Sequence, residues 1–144
     1  MVYRYSLKVD GEKNIAKNFK LKEFRCKDGS DEILLDSSFV ITKLQSIRDH
    51  FNKPVHINSA YRTVSYNESI GGAKNSYHVK GMAFDIVVNG IDLDAVCKYA
   101  QSIGILGIIR YNTFVHIDAR TNLYFARNNN GKVTKVTSFI WGIN

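Results

Sequence analysis

The chain has 144 residues, 44% of them apolar, which is enough for one domain with a buried core and too few to expect two. It carries 20 basic against 13 acidic residues, a formal charge of +7, and it has no run of about 18 apolar residues that would cross a membrane. The start, Met1-Val-Tyr-Arg-Tyr-Ser-Leu-Lys8, lacks the apolar stretch of a secretory signal, so synthesis in the cytoplasm, without a membrane partner, is the expectation.

The basic residues cluster between Lys8 and Lys22 and again between Arg127 and Lys135. Such a field concentrates polyanions, and nucleic acid, an anionic cell wall or simply a soluble basic surface would all account for it. Nucleic acid is the least favoured of these, because no nucleic-acid module and no basic helix with interleaved aromatics is present. The two cysteines, Cys26 and Cys97, are too few for a disulfide framework and are spaced like no metal motif. Cys97, in Ala95-Val-Cys-Lys-Tyr-Ala100, reads as a small core residue, and no bridge between the two is expected.

Residues 1–17 open with an alternating piece, Val2 to Leu7, read as an N-terminal strand or arm. Phe19, Leu21 and Phe24 then pin a short segment to the body, and Lys27-Asp-Gly-Ser-Asp31 is turn chemistry. After the apolar Ile33-Leu-Leu35, the helix-capping residues Asp36-Ser-Ser38 precede a helical pattern from Ser38 to Phe51. There Val40, Leu44, Ile47 and Phe51 recur at four, three and four residues. Pro54 cannot continue that helix. Val55-His-Ile-Asn58 reads as a strand, with His56 on the face opposite Val55 and Ile57, exposed or hydrogen-bonded rather than a ligand.

Arg62 closes Ser59-Ala-Tyr-Arg62 at the end of that strand, where its planar fork suits a carboxylate or a polarised carbonyl; an arginine paired with a structural acid is the alternative. Residues 64–70 make a short helix ended by Gly71-Gly72. A strand follows from Met82 to Val88, a turn at Asn89-Gly90, and a second helix from Asp92 to Ile103, with Leu93, Val96 and Ala100 as its buried stripe and Gly104 as its stop. Leu106 to Arg110 and Thr113 to Ala119 form a hairpin around Tyr111-Asn112. The tail, Leu123 to Phe125 and Val133 to Trp141 around Asn128 to Gly131, forms another.

Chemistry concentrates in two of these segments. His78 and Asp85 flank a glycine-containing turn, and His116 lies within the second strand of the hairpin. Strands alternate faces, so Asp85 shares a face with Ala83 and Val87, and His116 shares one with Asp118. A carboxylate set between Phe84 and Ile86 needs a partner, since burying it unpaired costs several kcal/mol. Two imidazoles and one carboxylate suit Zn²⁺ with a position left open. An Asp85–Arg pair with core histidines is the competing arrangement.

Together, Ser59-Ala-Tyr-Arg62, the Gly71-Gly-Ala-Lys-Asn-Ser76 loop, Ser76-x-His78-x-x-Gly81-x-Ala83-x-Asp85 and Val115-His-Ile-Asp118 resemble the M15 zinc peptidases, the D-Ala-D-Ala carboxypeptidase and dipeptidase group whose fold is shared with the hedgehog signalling domain. The likeness runs from about Asn18 to Arg120. Its opening, Asn18 to Cys26 followed by the Lys27 to Asp31 turn, is similar to short bacteriophage and prophage forms.

The resemblance implies an α+β domain over residues 1–144, with a small, mainly antiparallel sheet carrying the zinc site and two or three helices packed on it. Residues 1–17 would be an arm, 18–120 the family core and 121–144 a C-terminal hairpin. It further implies His78, Asp85 and His116 as zinc ligands, Arg62 and Asp118 as catalytic residues, and Ser76 and Tyr61 as substrate-binding residues. The substrate would be the D-amino-acid-containing stem peptides of peptidoglycan, with anionic wall polymers as a further partner, and the setting phage lysis or a virion tail. A wall-binding module without catalysis and a cytoplasmic D-Ala-D-Ala dipeptidase are the alternatives.

Many members of this family place an acid three residues before the last histidine, where this chain has Thr113. Asp118 is the nearest acid, and it reads either as the base or as a carboxylate that orients His116. The second is favoured, because two residues of strand at about 3.3 Å each place it some 6 to 7 Å further along.

Overall fold

The computed structural model describes residues 1–140. Its centre is a six-stranded sheet whose strands are β5 (Val55–Ser59), β6 (Ala83–Val88), β7 (Gly107–Arg110), β8 (Val115–Asp118), β9 (Tyr124–Asn129) and β10 (Lys132–Lys135), in the order β10-β9-β7-β8-β6-β5. All neighbours are antiparallel except β7 and β9, which run parallel. The sheet is therefore mainly antiparallel, as expected, and the segment between β8 and β9 crosses over to place β9 on the far side of β7.

Register decides what each face carries. Between β6 and β8, Phe84 pairs with Ile117 and Ile86 with Val115, while Asp85 pairs with His116 and Ala83 with Asp118. Because side chains alternate, the first two pairs lie on one face and the last two on the other. Phe84, Ile86, Ile117 and Val115 are fully buried. The dry face is covered by α5 (Leu93–Ser102), whose Val96, Cys97 and Ala100 are buried, and by Phe39 and Phe24. The Phe39 ring stacks on Phe84 at 5.4 Å and the Phe24 ring meets Phe84 edge-on at 5.6 Å.

The first long helix differs from an ideal one. It starts as α2 (Ser37–Phe39), where the Asp36 side chain accepts from the Phe39 N–H, widens into a π-wound segment, Val40–Leu44, and continues as α3 (Gln45–Phe51) to a left-handed Asn52. Val40, Leu44 and Ile47 are buried as the periodicity requires, and the widened turn between them, with the Gln45 N–H on the Val40 carbonyl, has no signature in that spacing. The second long helix is α5, entered through Asp92. Between the two, α4 (Val64–Ser69) is capped by Thr63.

The N-terminal segment is more tightly tied than an arm. β1 (Tyr3–Ser6) pairs antiparallel with β4 (Glu32–Leu35), the one-turn α1 (Leu7–Asp10) follows, and β2 (Asn14–Ala16) pairs with β3 (Phe19–Lys20). Phe19, Leu21 and Phe24 are buried as anchors. The C-terminal hairpin forms around Asn130-Gly131, with its second strand ending at Lys135 rather than running on; Trp141 lies outside the described residues. Cys26 and Cys97 are both buried free thiols, and burial pushes the Cys97 thiol up to about 12.

Candidate metal centre

The sheet face opposite the phenylalanines carries the polar residues. Asp85 and His116 are direct cross-strand partners, so the hydrogen-bonding register of two apolar strands is what brings the carboxylate to the imidazole. His78 arrives from the turn before β6. That turn is pressed against β4: Gly81 adopts φ +75, its carbonyl accepts from the Asp36 N–H, and a Cβ there would stand 2.5 Å from the Leu34 carbonyl. Only glycine fits, which gives the glycine of the motif its physical reason. The turn is also laced to the strand end at residues 60–62, where the Arg62 N–H donates to the His78 carbonyl and His78 Nδ1 donates to the Ala60 carbonyl at 2.7 Å.

That last bond leaves Nε2 as the nitrogen of His78 turned to the cluster, facing Asp85 Oδ1 at 3.2 Å. Nδ1 of His116 faces the same oxygen at 2.9 Å, and its Nε2 donates to Asp118 Oδ2 at 2.8 Å. The three potential ligand atoms of His78, Asp85 and His116 lie within 4.8 Å of one another, and all three residues are buried. Two imidazole nitrogens and one carboxylate, with the far nitrogen of each ring already engaged by an oxygen, fit a zinc ion.

Charge is concentrated to match. Burial disfavours a charged Asp85, but hydrogen bonds from His116 and His78 outweigh it and hold the carboxyl well below its usual range. Burial likewise works against a charged His116, and its bonds to Asp118 and Asp85 push its pKa up to about 9. Asp118 resists its own burial through Arg120 and then His116, which bring it down to about 2.

Arg62 reaches the same point from the end of β5. Its Nε donates to Ser59 Oγ at 3.1 Å, its Nη1 to Asn67 Oδ1 at 3.2 Å and its Nη2 to Asp85 Oδ2 at 3.5 Å. Asp85 therefore lies within reach of the arginine as well as of the two histidines. A cleft of about 470 Å³ opens above the cluster, walled by Arg62, the 70–78 segment, Ile109, Tyr111, Phe114 and Arg120. Ser76 lines it and accepts the His78 N–H on its hydroxyl at 3.1 Å.

Two residues singled out in the sequence stand elsewhere. Tyr61 is not brought to the cleft: in the segment that follows β5 it is 6% exposed and its hydroxyl donates to Glu32 at 3.2 Å. Asp118 is fully buried beneath His116 and is absent from the cleft wall. Thr113 sits exposed in the loop between β7 and β8.

Conversely, Asn67, Tyr111, Phe114 and Arg120 escaped the sequence reading. Asn67 clamps Arg62 and donates to the Ala73 carbonyl at 2.8 Å. Tyr111 and Phe114 stack at 4.4 Å to make an aromatic wall. The two-residue spacing of Asp118 and Arg120 was the one local signal available for any of them.

The chain is 41% identical over 73 residues to the peptidoglycan L,D-endopeptidase MepK of Escherichia coli K12, covering 46% of this chain and 40% of that protein. A probable counterpart from Haemophilus influenzae is 38% identical over 74 residues, with the same coverage. The zinc D-Ala-D-Ala carboxypeptidase of Streptomyces albus G is 38% identical over 61 residues, 42% of this chain and 23% of that protein. The matched region thus spans well under half the length of these relatives. The model of the Peptidase M15 family matches residues 17–118, a span that includes His78, Asp85 and His116 together, and the chain belongs to that family.

Proposed function

We propose that this chain is a zinc-dependent peptidase that cleaves D-amino-acid-containing stem peptides of bacterial peptidoglycan. The observation that carries the reading is the meeting of His78 Nε2, Asp85 and His116 Nδ1 at the floor of a cleft that also presents Arg62. The names of the relatives, one an L,D-endopeptidase of peptidoglycan and one a zinc carboxypeptidase, support the substrate class.

Zinc bound there supplies a Lewis acid for a peptide carbonyl and lowers the pKa of water. The protein's own part is largely preorganisation. Arg62, fixed at Nε and Nη1 by Ser59 and Asn67 and held only at 3.5 Å from Asp85 by Nη2, presents a preorganised guanidinium to oxygen charge that grows during attack. Ser76 stands on the cleft wall as a contact for the peptide backbone. Asp118 holds the Nε2 proton of His116 and so directs Nδ1 toward Asp85. Asp118 acts as orienter rather than base, since both its oxygens are taken by His116 and Arg120.

A wall-binding module without catalysis is the second reading, favoured by one observation: among the described residues Asp85 is the only carboxylate on the cleft wall. The narrower setting, phage lysis or a virion tail, rests on the likeness of residues 18–31 to short phage forms, and the +7 charge suits an anionic wall. Purified muropeptides and free D-Ala-D-Ala, incubated with the protein with and without a chelator, separate these readings. Chelator-sensitive muropeptide products are expected, and their masses identify an L,D or a terminal D-Ala-D-Ala bond. Wall binding without any product would establish the module instead, and cleavage confined to the free dipeptide would mark a dipeptidase.

A further inference from the structure

Arg120 belongs to no ligand set, yet it grips the residue that orients one. Its Nε donates to Asp118 Oδ1 at 2.7 Å, its Nη2 to Oδ2 at 2.6 Å, and its backbone N–H adds a bond to Oδ1 at 3.2 Å. Oδ2 is the same oxygen that accepts from His116 Nε2. The guanidinium is in turn held between two rings, its carbon 4.7 Å from the centroid of Tyr77 and 4.7 Å from that of Tyr124.

Room for this fork comes from small residues on both neighbouring strands. Asp118 pairs with Ala83 on β6 and with Gly107 on β7. A Cβ at Gly107 would fall 1.9 Å from Asp118 Oδ1 and 2.6 Å from Arg120 Nε, so any side chain there would displace the pair. The geometry is that of a bidentate arginine–carboxylate pair, the most orientation-specific charge pair available to side chains.

We propose that Arg120 is a positioning residue for the metal centre: clamped by Tyr77 and Tyr124 in the space left by Gly107, it fixes the Asp118 carboxylate, which fixes the His116 ring with Nδ1 turned to the ion. The inference rests on the zinc reading above. Removing the fork leaves the Asp118 carboxylate held only by the Arg120 backbone N–H and by His116 itself, and the orientation of His116 is then less firmly imposed.

The test is zinc affinity, measured by chelator competition on the metal-free chain and on Arg120→Gln, Arg120→Lys, Gly107→Ala, Asp118→Asn and the Asp118→Asn/Arg120→Gln double variant. Arg120→Gln and Gly107→Ala should each weaken zinc by about 10- to 100-fold, the range for lost partners of a ligand. Arg120→Lys keeps the charge but not the fork and should fall between. In the Asp118→Asn background, Arg120→Gln should add little, because groups acting through one network are not additive.

Unchanged affinity in Arg120→Gln, or in Arg120→Lys should the glutamine variant not fold, overturns the proposal. So does a full, additive loss in the Asp118→Asn background, which would mark Arg120 as merely structural. Failure of the wild-type chain to bind zinc is a distinct result that removes the zinc reading, and this inference with it.

Discussion

Strands β6 and β8 present two faces made by the same four cross-strand pairs and put to opposite uses. On one, Phe84–Ile117 and Ile86–Val115 are fully buried among aromatic rings and α5. On the other, Asp85–His116 and Ala83–Asp118 are also buried, yet three of the four side chains are ionisable. The dry face gains from every apolar atom removed from water. The polar face pays the desolvation of its charges and recovers it only through partners, and every buried polar side-chain atom among the described residues has one. A buried face can be a stability device or a chemical one, and strand alternation lets these eight residues supply both.

The largest effect is expected from removing the charge at the centre of the polar face. Asp85→Ala should abolish stoichiometric zinc, read by elemental analysis, while circular dichroism shows the fold retained. Full zinc occupancy in a folded Asp85→Ala protein would remove Asp85 from the ligand set. The reciprocal experiment is on the dry face: Phe84→Ala should cost about 3–5 kcal/mol in denaturant unfolding, with one zinc still bound by the folded fraction. A Phe84→Ala protein of wild-type stability would mean that the stack with Phe39 and Phe24 contributes nothing.

A smaller effect tests how the polar face is charged. His116 has its pKa raised from the ordinary 6.5 to about 9 in the metal-free protein. Its contribution to stability is therefore fully present below pH 6.5 and lost as pH rises through about 9. Zinc at Nδ1 must displace that proton, so affinity runs the other way, rising by about tenfold per pH unit up to about 9. Metal-free melting curves and zinc titrations across pH 6 to 10 should show these opposite slopes, and a zinc affinity flat over that interval would refute the assignment of the proton to His116.

The smallest effect is expected where an acid–arginine cluster is open to water. Asp94 meets Arg110 at 3.1 Å and Arg127 at 3.0 Å, but its side chain is 40% exposed. Those partners hold its carboxyl below the ordinary value in spite of partial burial, so its contribution is present at neutral pH and is lost only as pH falls through the acid range. Asp94→Asn should cost at most about 1 kcal/mol and leave zinc affinity untouched. A loss as large as that of Phe84→Ala would show that exposure is a poor guide to the worth of an ion pair here.

What could be read from the chain itself was whatever short-range geometry dictates. Alternation put Asp85 with Ala83 on one face of their strand and His116 with Asp118 on one face of theirs, four-and-three spacing buried Val40, Leu44 and Ile47, and a capping Asp36 and a blocking Pro54 bounded the first long helix. Those rules act over a few residues and leave their mark in spacing. The M15 resemblance rested on the same local motifs.

Tertiary structure alone decided which face met which. The register that sets Asp85 against His116 is a matter of hydrogen bonds between strands 31 residues apart, and the parallel pairing of β7 with β9 sets Tyr124 opposite Gly107, where it flanks Arg120 together with Tyr77. The pairing of β1 with β4, the swing of Tyr61 toward Glu32 and the clamp of Asn67 on Arg62 are of the same kind. Each joins groups that have no fixed distance until the chain has folded, so no spacing in the sequence encodes them; only the packing of the sheet and its crossover supplies the contact.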